Sequence, residues 1–265
     1  MAMDKLAVSG GSGITARQWR DFWEKVELNK ISSGNFQKYL DNPDGLSNRN
    51  NLARISLTKA KKILGRDKIF TVVNYNKIWG TRFPEFPINY IEVVLDNAAW
   101  QNKRDHDWRL VFYGGSAIVR MRDILGMDQA CQPCFSHESS DWYLRETERQ
   151  WIIQTPAPGY YLIDFKGQLK NLNHEEQEKR IKLASPTYER TDPHMFVEAI
   201  FSIFKLSGER IAASWDHWTS VRAYSNSFVR VGHFDFEGLK IRAEQPGIRN
   251  HEIRVSVCQK PRQST

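Results

Sequence analysis

The sequence predicts an α+β protein with a small helical N-terminal region. Three observations carry that class. Trp19, Phe22, Trp23 and Val26 recur at helical spacing close to the N-terminus. Beyond Arg66 the texture changes to short β-branched and aromatic runs bounded by turn residues. Between those runs lies a strongly apolar helical stretch, 193–206, with Phe196, Val197, Ile200, Phe201 and Phe204 as its core face. The predicted organisation is a basic helical region over 1–66 and a mixed domain over 67–265.

Element by element, residues 1–13 are a leader of Gly, Ser and Ala. Thr15 can cap the first helix, with Lys25 and Lys30 placed where cations suit a helix C-terminus. A second helix is predicted from Ser33, carrying Phe36, Tyr39 and Leu40, before a turn at Asn42-Pro43-Asp44-Gly45. A third runs from Leu57 to Leu64 and stops at Gly65. Strands are predicted at 69–73, 90–95 and 108–113. Ser116 can cap a helix carrying Ile118, Met121, Ile124 and Leu125. Two further strands, 151–153 and 160–165, are separated by Pro156 and Pro158, and the charged stretch 173–184 predicts an exposed helix. The last fifty residues alternate: Phe228 to Phe234 is a strand, Asp235 to Gly238 a turn, Leu239 to Arg242 its partner, and Glu252 to Val257 a final strand.

Composition narrows the function classes. A chain of 265 residues, 40% hydrophobic and 12% aromatic, folds into a core without disulfides or metals. No run approaches the length of a membrane span, and the first residues lack the basic start and apolar stretch of a secretory signal. Three cysteines cannot make a disulfide framework, so the default compartment is a reducing cytoplasm, with display on a cell surface or virion left open. The net charge is +7, and residues 1–66 hold twelve Lys and Arg against six Asp and Glu. The excess therefore lies almost wholly in the first quarter, where basic helices could dock on nucleic acid or on an acidic partner, a soluble helical appendage being the alternative.

The C-terminal stretch carries a resemblance. It reads Glu209-Arg210-Ile211-Ala212-Ala213-Ser214-Trp215-Asp216-His217-Trp218-Thr219-Ser220, then a hairpin from Phe228 through Gly232-His233-Phe234-Asp235 to Gly238-Leu239, and closes with Ile253-Arg254-Val255-Ser256-Val257. This order resembles a C-type-lectin-like fold, and within it the formylglycine-generating-enzyme-like branch. That branch includes the variable target proteins of bacterial and phage diversity-generating retroelements. About fifty residues carry the likeness. It implies a non-enzymatic ligand-binding protein with a variable macromolecular ligand, usually a protein, and no cofactor. In such proteins mutagenic reverse transcription alters adenine-templated codons on a fixed scaffold.

On that reading the displayed residues are His217, Ser220, Arg222, Tyr224, Ser225, Asn226 and Phe228, with Arg242, Arg249, Asn250 and His251. Tyr, Ser and Asn are adaptable contact residues, and Tyr and Arg supply hot spots. Trp215, Trp218, Gly232, Asp235 and Gly238 would be scaffold. An ordinary polar loop over 220–228 is the alternative. Glu244, Gln245 and Glu252 are types that adenine-directed mutagenesis of AAY codons does not generate, so diversification cannot cover the whole region.

Chemistry finds little purchase. The formylglycine-generating enzymes depend on a C-terminal pair of active-site cysteines, whereas Cys258 is alone in its half of the chain. Cys131-Gln132-Pro133-Cys134 with His137 has zinc or redox spacing but no second pair, and two ordinary thiols are the simpler reading. His233 and Asp235 share a strand face, which fits either an acid–base pair or turn capping. Asp216-His217 has no serine in a nucleophile elbow to serve. Gly10-Gly11-Ser12-Gly13 lacks the ending of a phosphate loop. The charges from Glu175 to Lys182 are a solvated helix face, and Trp19, Phe22 and Trp23 are a core or docking stripe.

Overall fold

The computed structural model describes residues 55–90, 92–137, 141–224 and 226–259. The leader, the helices expected from Thr15 and Ser33, and the turn at 42–45 lie outside these described residues. The chain divides into two units, Met1–Ala53 and Arg54–Thr265. The larger unit takes in the third predicted helix. It is a mixed α+β structure.

Helix α1 (Leu57–Leu64) forms where predicted: Ser56 Oγ accepts the Lys59 N–H, Gly65 ends the helix at φ +98°, and Ala60 and Leu64 are buried. Strand β1 is only Ile69–Phe70, shorter than the predicted 69–73. Thr71 stops it by capping α2 (Val72–Trp79), with reciprocal bonds between Thr71 and Asn74. That capping box outweighs the strand preference of Val72 and Val73. The strand predicted at 90–95 is instead the start of α3 (Glu92–Asn102), which buries Leu95 and Ala98. Asn102 then bonds both backbone groups of Trp108, the first residue of β2 (Trp108–Tyr113). Helix α4 (Ile118–Leu125) is capped at Ala117, not Ser116. The predicted strand 151–153 is the short helix α5 (Arg149–Ile153), in which only Ile152 is buried.

Strand β3 (Gly159–Gln168) is longer than predicted. Helix α6 (His174–Ala184) starts on an Asn173–Glu176 capping box; its His174, Gln177 and Ile181 are buried beneath an otherwise charged helix. Strand β4 (Tyr188–Arg190) was not legible in the pattern. Helix α7 (Pro193–Ser207) has Asp192 as cap, Pro193 in its first turn and Gly208 at its end. It is buried on every side from Pro193 to Ile203, not along one face, because α2 and α4 pack on it as well as β2 and β6 of the sheet. Strands β5 (Asp216–Arg222), β6 (Phe228–Asp235), β7 (Gly238–Glu244) and β8 (Ile253–Gln259) complete the unit.

The sheet runs β1-β2-β3-β8-β5-β6-β7, and β4 also pairs with β8. Strand β8 thus joins the two halves. Its N-terminal part pairs in parallel with β5 (Asp216↔Ile253), and its C-terminal part lies between β3 and β4 (Asp164↔Val257↔Arg190). Two glycines are required by close approach. A Cβ at Gly232 would collide with the Trp215 carbonyl, and one at Gly238, where φ is +101°, would meet the backbone of Cys134 and Phe135. Among the described residues no helix is long and apolar enough to cross a membrane.

Candidate ligand-binding surface

Strands β5 and β6 are joined by a tight tip. Ala223 N–H donates to the Ser227 carbonyl at 2.8 Å, and Asn226, at φ +60°, donates to the Ala223 carbonyl at 3.1 Å. Below the tip sits the buried Glu148. Its carboxylate accepts the Trp151 indole N–H at 2.7 Å and the Tyr224 backbone N–H at 3.1 and 3.2 Å. Gln245 Nε2 donates to Ser227 Oγ from the other side. The main chain of the tip is therefore held while the Tyr224 side chain stays 76% exposed.

Of the eleven residues predicted as a contact surface, the structure brings four together here: Ser220, Arg222, Tyr224 and Asn226 are all exposed at this end of the hairpin. Ser225 lies outside the described residues. Two assignments are corrected. His217 is completely buried on the face packed against α7, its ring 4.8 Å from Phe196, in a part of β5, Asp216 to Thr219, that is covered on both faces. Phe228 is buried too, stacked 3.6 Å from the His174 ring and clustered with Trp218 and Ile253. Arg222 lies over that same Phe228 ring at 4.8 Å, so a buried aromatic orients an exposed cation.

The other four stand apart from the tip. Arg249, Asn250 and His251 belong to the crossover from β7 to β8, which ends where Asp216 N–H meets the Glu252 carbonyl. Arg249 is paired with Glu176, Asn250 Oδ1 caps the Glu252 N–H at 2.9 Å, and His251 is exposed. Arg242 reaches Asp216 on the strands themselves.

That buried Asp216 is the centre of a charge cluster no spacing pattern revealed. It accepts from Arg230 at 2.6 Å and His233 Nδ1 at 3.0 Å, with Arg242 at 3.5 Å. His233 sits at a register shift with φ +44°, which turns it toward Asp216 and away from Asp235. Asp235 instead accepts the Glu237 N–H of the turn, the capping alternative. A second hidden carboxylate is Glu198 on α7. It accepts the N–H groups of Gly114 and Ser116, the latter at 2.8 Å, at the Gly-Gly-Ser turn between β2 and α4. Burial pushes it up to about 7 against the downward pull of those bonds.

The Cys131–Cys134 turn is not set up as an activated thiol pair. Cys131 is exposed and hydrogen-bonded to the Asp128 carboxylate, and Cys134 is buried. The carboxylate raises the first thiol and burial raises the second, so neither is driven toward thiolate. Among the described residues no three His, Cys, Asp or Glu side chains come together as a metal site. No family model matches this chain, and neither does a curated protein or a solved structure.

Proposed function

We propose that the chain is a non-enzymatic binding protein whose contact surface is the outer end of the β5–β6 hairpin, on a C-type-lectin-like scaffold of the formylglycine-generating-enzyme-like branch. The partner class is a macromolecule, most simply a protein. The observation that carries this is the division of labour at the tip. Glu148, Gln245 and the Phe228–His174 stack hold the main chain, while Ser220, Arg222, Tyr224 and Asn226 make few internal contacts. A surface built this way accepts new side chains at little cost to folding. A mixed sheet joined through the last strand, and glycines demanded at 232 and 238, also fit that scaffold.

The test is a library randomised at Ser220, Arg222, Tyr224 and Asn226. Most members should unfold within a few degrees of the parent, and selection on immobilised proteins should yield binders. A companion library at Thr219, Phe228, Val229 and Val231 should be mostly unfolded. Equal intolerance in the two libraries would refute the display reading. Diversification has its own check: a near-identical template copy of the 3′ coding end beside a reverse-transcriptase gene, differing at adenines.

A further inference from the structure

Away from the hairpin, α1 and α3 lie side by side with a groove of about 590 Å³ between them. Its charge is uneven. At the end formed by the first turns of the two helices, Glu92 pairs with Lys59 and lies close to Asp96. Farther along, Lys68 is held by Asp107 at 2.7 Å, and Asp67 contributes one more carboxylate. Lys62 and Lys103 line the same groove with no carboxylate partner among the described residues. Among the described residues, the charged groups lining a second recess beside α1 are Lys61, Lys62 and Arg66.

One aromatic stands at this surface. Trp100 is 46% exposed, and the Arg104 guanidinium lies 3.8 Å over its ring. A flat indole and guanidinium beside a row of cations offers two complementary contacts, stacking for a base and charge for phosphates.

We propose that this groove and the recess that shares Lys62 with it bind single-stranded nucleic acid, with phosphates on Lys61, Lys62, Arg66 and Lys103 and an unpaired base against the Trp100–Arg104 pair. The occupant follows from charge and shape together. An acidic peptide would use the cations but leave the stacked aromatic unused, and a duplex keeps its bases out of reach. The site belongs to the larger unit and is independent of the hairpin surface. Five of the twelve N-terminal cations, Arg54, Lys59, Lys61, Lys62 and Arg66, fall in the same unit as the sheet.

The experiment is fluorescence anisotropy of the full chain with a labelled oligothymidylate of about fifteen nucleotides, from 50 to 200 mM salt. Four phosphate contacts at about 0.7 per cation predict a log–log slope near −3, or roughly 50-fold weaker binding across that range. The double variant Lys62→Gln/Lys103→Gln should halve the slope. Trp100→Ala and, separately, Arg104→Ala should each weaken binding by roughly tenfold with the slope unchanged. Arg104 lies beyond the end of α3, so its variant reads the stack without touching the helix. Absence of binding at 50 mM salt, an unchanged slope in the double variant, or equal affinity for a duplex of the same sequence would each overturn the proposal.

Discussion

His217 accepts the backbone N–H of Ser256 at Nδ1, 3.0 Å away, and donates from Nε2 to the Thr191 carbonyl at 2.7 Å. Both ring nitrogens are used by main chain, one in each role, which leaves the imidazole neutral and in a single tautomer. His194 is wired the same way, accepting from Ile118 N–H and donating to the Trp151 carbonyl. Strands β5 and β8 and the residue that follows β4 meet at the first of these rings; α4, α5 and α7 meet at the second.

The first prediction concerns pH. Burial drives His217 down to about 3 and His174 down to about 4, from an ordinary value of 6.5. Folded-state values below the unfolded ones mean that the unfolded chain binds more protons in that window. Their stabilising effect is complete above about pH 6.5 and is lost as pH falls toward 4 and then 3. Urea midpoints measured from pH 7 to 4 should fall steadily. In His217→Gln the midpoint should be lower at pH 7 but the dependence shallower by about one proton; an unchanged slope would contradict the wiring.

Glu198 has the opposite sign. Its carboxyl is raised from 4.5 to about 7, so its favourable contribution is complete below about pH 4.5 and disappears as pH rises through 7. Glu198→Gln sets an amide N–H against Gly114 or Ser116 and should cost about 1–3 kcal/mol at pH 5. The deficit should shrink by pH 8, where the parent has taken on a buried charge. A deficit constant across pH would exclude titration of this group.

At the hairpin, Glu148→Ala removes the buried acceptor of two half-buried hydrogen bonds, from the Trp151 indole and the Tyr224 amide. The expected loss is about 1–3 kcal/mol. Amide exchange should accelerate at 223–227 more than in β8. Uniform acceleration would show that Glu148 supports the whole fold and not the tip.

Phe228 and Ser220 separate scaffold from surface. Phe228→Ala should cost about 3–5 kcal/mol, since it empties the space between His174, Trp218 and Ile253. Ser220→Ala should stay within about 0.5 kcal/mol. Chemical denaturation of both variants checks the contrast.

The alternation of the last fifty residues was legible because the period of two survives wherever one sheet face packs on a helix. Strands β6, β7 and β8 fall where their patterns put them. The apolar runs at 90–95 and 151–153 misled, because short β-branched and aromatic stretches serve a helix equally well when caps and neighbours favour it. Phe228 and His217 were misassigned for a related reason: their side of the sheet depends on what covers it. Helix α6 lies over Phe228 through His174, while α7 covers His217 through Phe196. Glu148 and Glu198 left no trace at all, because a carboxylate buried against donors distant in the chain looks like any surface acid.

Strand β8 is the last element of the sheet to be synthesised and sits between strands made much earlier. Until Gln259 has cleared the ribosome, β3 and β5 each expose an unsatisfied edge. The two half-sheets therefore wait on one late segment, and any stalled or truncated product ending before Ile253 would present open strand edges to its neighbours.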